Sequence, residues 1–213
     1  MRAPLTSMLG LIEIMKKEED LNIVREYVSL KERSIKKLDS YIVDILNISR
    51  NARVDVNIEQ VDIRTMIDEV FMQLNYIENF TKTNKVISIS QATPFYTDGK
   101  RLYIIFSNLI SNSIRYADLS KTNPSIEIKI NVFIHEVIIK IKDNGIGIPE
   151  EHLKRVFDMF YRATDKTSGS GLGLYIVKET ILKLKGTIEV KSEERKWTEF
   201  IMKIPNYTKG IIK

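Results

Sequence analysis

Asn108 and Asn112 stand one helical turn apart in "DGKRLYIIFSNLISNSIRYA" (98–117), whose apolar spacing predicts a long helix with Asp98 as its N-cap. At that spacing the two amides share a face, and Arg115 and Tyr116 follow them. Amide oxygens are hard ligands. Magnesium favours such oxygens together with phosphates and water, and seldom takes a full protein cage. Asparagine is also a poor helix former, so two in mid-helix invite a functional reason. Solvent-facing or internally satisfied amides would leave the same trace in sequence.

Two glycine clusters supply a second kind of chemistry. "GSGLGL" (169–174) runs directly into a predicted helix, where unpaired amides and the helix dipole make a ready anion site. "DNGIGIP" (143–149) places a carboxylate at a predicted strand end, where a buried Asp143 could accept a hydrogen bond from an exocyclic amine. Glycine lets backbone approach a ligand closely, but the same clusters could mark two turns, with Asp143 and Asn144 building the first. Between them lie Lys154, Arg155, Arg162 and Lys166.

The elements that must position these residues can be read from periodicity. Val24, Val28, Ile35, Leu38, Ile42 and Ile45 form a helical stripe, and Leu5, Leu9 and Ile12 a shorter one before the polar break "KKEEDLN". Two antiparallel helices, 2–17 and 21–50, are expected. A lone hairpin leaves its stripes half covered, so pairing of two hairpins into a four-helix bundle is expected. Beyond a linker at 51–60, the expectation is a short strand at "EQVDI", a helix over 63–80 and a strand at "KVISIS". "SIEIKINVFI" with "EVIIKIKD" reads as a hairpin, "GLGLYIVKETILKLK" as a helix, and "GTIEVKSE" with "WTEFIMKIP" as a closing hairpin. The fold class is α+β: an N-terminal antiparallel helical hairpin (1–52), then an α/β sandwich (53–213) with helices on one sheet face.

Composition narrows the function classes. The 213 residues contain no cysteine, which excludes disulfides and thiolate metal sites and fits a reducing compartment. The net charge of +5 is not gathered into basic runs interleaved with aromatics, so nucleic acid is not an expected partner. No apolar run approaches about 18 residues, so no membrane contact is expected within the chain.

Four segments in order, "NLISNSIRY", "DNGIGIP", "VFDMFYRA" and "GSGLGL", resemble the N, G1, F and G2 boxes of the catalytic ATP-binding domain of sensor histidine kinases. That domain has the Bergerat fold, shared with gyrase and Hsp90. "RAPLTSMLGLIEIM" resembles the segment that follows the phosphoacceptor histidine in the pattern H-x-x-R-x-P-L. The resemblance implies ATP and Mg²⁺ as cofactors, a response-regulator receiver domain as partner, docking near residues 5–35, and a cytoplasmic location even if a parent protein is membrane-anchored. It implies Mg²⁺ on Asn112 with Asn108 beside it, and phosphate or nucleotide contacts for Arg115 and Tyr116. Asp143 would accept from the adenine amine in a pocket shaped by Gly145, Ile146 and Gly147. Phe157 and Phe160 would anchor a lid over roughly 149–170, expected to move without nucleotide. Arg162 would approach the γ-phosphate and, with Asn108, take part in catalysis. Gly169, Gly171, Leu172 and Gly173 would line the phosphates, and Leu174 would pack under the nucleotide.

Two departures matter. If Arg2 matches the arginine of the pattern, the acceptor histidine lies three residues before it, upstream of this chain. The histidines present, His135 and His152, fall in a predicted hairpin turn and in the lid. Asn108 stands where the gyrase-like and Hsp90-like ATPases carry a water-activating glutamate, and an amide cannot take a proton from water. Three readings therefore compete: a histidine phosphotransferase core unable to phosphorylate itself within this chain, a non-catalytic nucleotide-binding scaffold, and an ATPase or anti-sigma-type Ser/Thr kinase. The N-terminal hairpin argues against the third.

Overall fold

In the computed structural model, which describes residues 2–163 and 170–207, the chain opens with helices α1 (Arg2–Met15) and α2 (Leu21–Arg53). Asp20 starts α2 as its N-cap, accepting from the Asn22 amide at 2.8 Å, and Arg50 and Arg53 lie in its last turn, where cations complement the dipole. The two helices pack on each other. Ile35 and Ile42 stay largely exposed on α2, at 58% and 53%. Among the described residues no helix is long and apolar enough to cross a membrane.

A two-residue strand β1 (Glu59–Gln60) pairs with β3 (Tyr96–Thr97), and helix α3 (Ile63–Gln73) follows β1. The expected helix to residue 80 stops early. From Leu74 the chain continues through tighter turns, Ile77 N–H to Leu74 O and Phe80 N–H to Ile77 O. That change of direction lets the Asn79 amide donate to the Ile114 carbonyl at 3.3 Å, so tertiary packing overrides local periodicity. Strand β2 (Asn84–Gln91) then leads through β3 into helix α4 (Gly99–Arg115) and strand β4 (Ser125–Val132), which lies parallel to β2. Strand β5 (Glu136–Asp143), the short helix α5 (Glu150–Leu153), helix α6 (Gly173–Lys183) and strands β6 (Thr187–Glu193) and β7 (Trp197–Pro205) complete the layer. The sheet order is β2-β4-β5-β7-β6.

The core lies between this sheet and the helices. Along β4, Ile126, Ile128, Ile130 and Val132 point inward, and along β5 Val137, Ile139 and Ile141 do the same. Helix α4 meets them with Leu102, Ile105, Phe106, Leu109, Ile110 and Ile114, all fully buried. Burying each such side chain is worth roughly 1.5–3 kcal/mol. The period-2 alternation continues to the last residue of β5, so Asp143 takes the next inward position, opposite Ile126 on one side and Thr198 on the other.

One polar node joins the helical hairpin to this layer. Arg101, in the first turn of α4, pairs with Asp98, the N-cap of the same helix, and both are buried. The guanidinium also donates to the carbonyls of Val54 at 2.6 Å and Asp55 at 3.2 Å, just past the end of α2, and to the Asn51 side chain at 3.0 Å. Removing one partner of such a pair strands the other. Arg101→Met should therefore lower unfolding stability by about 3 kcal/mol, read as a shift of the urea midpoint; a midpoint within error of the parent chain would show that the node contributes nothing.

Candidate functional site

Buried pairs recur along α4 at 101/102, 105/106, 109/110 and 113/114, leaving Asn108 and Asn112 half-buried on the face turned away from the sheet. The Asn108 amide nitrogen donates to the Ile104 carbonyl at 2.8 Å. That bond fixes the rotamer, since only the nitrogen can donate, and leaves the oxygen facing α6. A Cβ built on Gly173 would sit 2.8 Å from this oxygen, so a larger first residue of α6 would displace the Asn108 amide or the helix. Asn112 has no hydrogen-bond partner for its side chain among the described residues. Arg115 is steadied by a 3.1 Å bond from Nε to Ser111 Oγ.

Ser113 faces the sheet instead and donates to Asp143 Oδ2 at 2.9 Å, while the Gly145 amide donates to Oδ1 at 3.0 Å. Burial pushes the Asp143 carboxyl up to about 6, opposed by the Gly145 amide, the Ser113 hydroxyl, the Lys121 charge and the Thr198 amide. Each carboxylate oxygen retains acceptor capacity beyond these bonds. The turn after Asp143 leans on the end of α4. Ile146 N–H donates to the Tyr116 carbonyl at 3.0 Å, and a Cβ on Gly145 would fall 2.4 Å from that same oxygen. Gly147 has φ +67° and lies so close to Glu193 O that no side chain would fit.

Helix α6 begins without a side-chain cap. Before it, Gly171 adopts φ +71° against the Phe160 backbone, and Ser170 Oγ accepts from the Leu172 amide at 3.1 Å. The uncapped first turn thus offers amides to an anion. Asn108, Asn112, Arg115, Tyr116, Asp143, Ile146, Gly147, Arg162, Gly171, Gly173 and Leu174 all line one cleft of about 1290 Å³. Gly145 and Leu172 sit behind its wall, Leu172 fully buried. Phe157 packs edge-on against Phe200 at 6.4 Å, and Phe160 is 58% exposed with φ 64°. Gly169 and the 164–169 part of the expected lid fall outside the described residues. A second cavity of about 810 Å³ lies at the foot of α2 and shares none of these residues. Among the described residues no cluster of three or more His, Asp or Glu could hold a metal ion. The Asn108 and Asn112 amides remain as hard oxygen ligands on the α4 wall of the cleft, to be completed by a ligand's own oxygens.

Other participants left no mark in the sequence. Ser113 is one of many serines, and its role follows from the register that brings Asp143 opposite it. Ile148 N–H bonds to Ser192 Oγ at 2.8 Å, tying the glycine turn to the β6–β7 hairpin. Asp44 of α2 reaches across the cleft and accepts from Ser170 Oγ at 2.6 Å; burial raises its carboxyl pKa, and the Ser170 bond opposes the rise.

Residues 97–208 match the family described as histidine kinase-, DNA gyrase B- and HSP90-like ATPase. The chain belongs to that family. It carries a catalytic ATP-binding domain of the sensor histidine kinase type. It is similar to the sensor protein kinase WalK of Staphylococcus aureus (strain MRSA252), 31% identical over 96% of this chain, and to that of Staphylococcus haemolyticus, 29% identical over the same share. The chain spans 35% of the length of those relatives. In fold it resembles the Acinetobacter baumannii histidine kinase AdeS, with a TM-score of 0.76 at 24% identity over 97% of both chains. It also resembles histidine kinase ThkA solved in complex with the response regulator protein TrrA, with a TM-score of 0.76 at 23% identity over 97% of this chain and 58% of that one. The ATPase domain thus meets α2 at the loop that opens α6. A carboxylate set there opposes a phosphate on the order of 1 kcal/mol, so Asp44→Ala is expected to tighten ATP binding about fivefold. Calorimetry checks this, and an unchanged or weakened affinity would rule the opposition out.

Proposed function

We propose that this chain is the catalytic core of a two-component sensor histidine kinase, with 1–52 as dimerisation and phosphotransfer hairpin and 53–213 as catalytic domain. In this reading it transfers a phosphoryl group from ATP to a histidine just upstream of residue 1, and thence to an aspartate of a response-regulator receiver domain. The observation that carries the reading is the convergence, in one cleft, of two amide oxygens, a buried carboxyl and an uncapped helix N-terminus.

These groups fit Mg·ATP by donor chemistry. The Asn112 side chain and the Asn108 oxygen are hard ligands suited to Mg²⁺ beside phosphates, and Asp143 has lone pairs left for an exocyclic amine. The bound nucleotide would supply the γ-phosphoryl group and, with its metal, screen charge in transfer. Arg115 and Tyr116 would contact phosphate and the polar edge of the nucleotide, Ile146 and Leu174 its apolar faces. The Gly171–Gly173 amides, with Gly169, would cradle phosphates, and Arg162 would stabilise charge near the transferred group. Asn108 offers no base for water, which favours transfer to a side chain over hydrolysis. The exposed stripe with Ile35 and Ile42 supports dimerisation through the helices, and the reading places the core in the cytoplasm.

A second reading, a nucleotide-binding scaffold, is favoured by one fact: neither α1 nor α2 contains a histidine. Incubation with γ-labelled ATP and Mg²⁺ separates the two. The chain should remain unlabelled, while a version extended upstream to the expected histidine should take up acid-labile, base-stable label. Absence of label on both, with ATP bound, would replace the kinase by the scaffold.

The Asp143 carboxyl gives a pH signature. It should accept from the base when ionised, so ATP affinity should be level above about pH 7 and fall as the pH drops through about 6. Folding responds oppositely. With a folded pKa above the usual carboxylate value, the fold binds more protons than the unfolded chain between about pH 4 and 6, and stability falls as the pH rises through that window. Titration calorimetry across pH 5–8 tests the first trend, with Asp143→Asn as control; an acid limb persisting in that variant would assign it elsewhere.

A further inference from the structure

Lys121 lies in the connection between α4 and β4, away from every sequence motif. Its ammonium donates to three carbonyl oxygens: Asn144 at 2.6 Å, Gly145 at 3.0 Å and Lys196 at 2.9 Å. An ammonium has three donors and no acceptor, so the match is complete. Two of the oxygens belong to the turn that follows Asp143, and the third to the turn between β6 and β7. The same two turns touch again where Arg195 N–H donates to the Ile146 carbonyl at 2.6 Å and where Gly147 packs on Glu193 O. Three carbonyl dipoles converging on one point repel one another unless a cation sits between them. The Lys121 side chain is only 27% exposed, so solvent screens this contact incompletely.

We propose that Lys121 is a positioning residue for recognition of the nucleotide base, holding the Asp143–Gly147 turn in its binding shape by tying it to the β6–β7 turn. The inference rests on the reading of the cleft as an ATP site. Lys121 is not among the residues that line the cleft; it acts through the backbone of Asn144 and Gly145, which flank the carboxyl and the glycines that would meet the base. It also contributes charge. Among the groups packed around Asp143, α4 presents the neutral Ser113 and turns Arg115 toward Ser111, and β7 presents Thr198. Lys142 lies on the opposite face of β5, over the Trp197 ring at 4.8 Å. Lys121 is the cation that holds the Asp143 carboxyl down against burial, and Asp118 stands 4.0 Å from its ammonium.

The experiment measures ATP affinity against pH for the parent chain, Lys121→Met and Lys121→Arg, with thermal unfolding as a check on folding. Lys121→Met should weaken ATP about tenfold at pH 8, as loss of charge-assisted hydrogen bonds commonly does, and should move the acid limb of binding to higher pH. Lys121→Arg, which keeps charge and donors, should return the limb to its parental position. If Lys121→Met does not fold, Lys121→Gln carries the same comparison. Parental affinity and an unmoved limb in the uncharged variant would overturn the proposal. So would lost affinity with an unmoved limb and no rescue by arginine, which is the pattern of a merely structural residue. Failure of the parent chain to bind ATP at all would instead overturn the reading of the cleft.

Discussion

Asp143 takes the inward position on β5 that Val137, Ile139 and Ile141 hold before it, and its carboxyl sits 6% exposed at the top of an otherwise apolar sheet face. A charge there is tolerable only because the fold surrounds it with donors: a serine hydroxyl from α4, the amide of its own turn and an amide from β7. Much of the cleft's geometry follows from this requirement. The turn must fold back tightly to bring the Gly145 amide onto the carboxyl. Tight folding presses the turn on the Tyr116 carbonyl, and that contact fixes the end of α4 relative to β5. The asparagines are carried to their places on the same helix.

The second wall depends on the first. Helix α6 packs on α4, and a Cβ at Gly173 would fall 2.8 Å from the Asn108 oxygen. An alanine at 173 would displace the Asn108 amide or the helix, and with it the spacing between the amide oxygen and the helix N-terminus. The absence of a side-chain cap on α6 is equally consequential, because a capped terminus would have answered its own amides and left nothing for an anion.

Local chemistry was legible in the sequence wherever a residue acts on its near neighbours. Asp98 was readable as an N-cap and does accept from the Arg101 amide. The β4–β5 and β6–β7 hairpins followed from alternation, and their registers hold as antiparallel pairs. The end of α3 was misjudged because Ile77 and Phe80 continue an apolar pattern while the backbone has already turned. The parallel pairing of β2 with β4, and the place of β7 between β5 and β6, are set by packing across the sheet that no single window records. Ser113, Lys121 and Asp44 were invisible for the same reason. Their partners lie 30, 23 and 126 positions away, and nothing in their own neighbourhoods announces them.

The guanidinium of Arg101 grips the carbonyls of Val54 and Asp55 just past α2, yet its own backbone is the first turn of α4. The two helices therefore share a pivot, built from the Asn51 side chain in α2 and the first residues of the chain that follows it. A torque applied along α2 has a direct polar path, through Asn51 and Arg101, to the rod on which both asparagines are mounted. Residues 54–62 are pinned as well, the Asn57 amide on Asp98 at 3.0 Å and the Val61 amide on the Phe95 carbonyl at 2.9 Å. In mechanical terms the fold couples its halves through an axle, and the linker is part of its bearing.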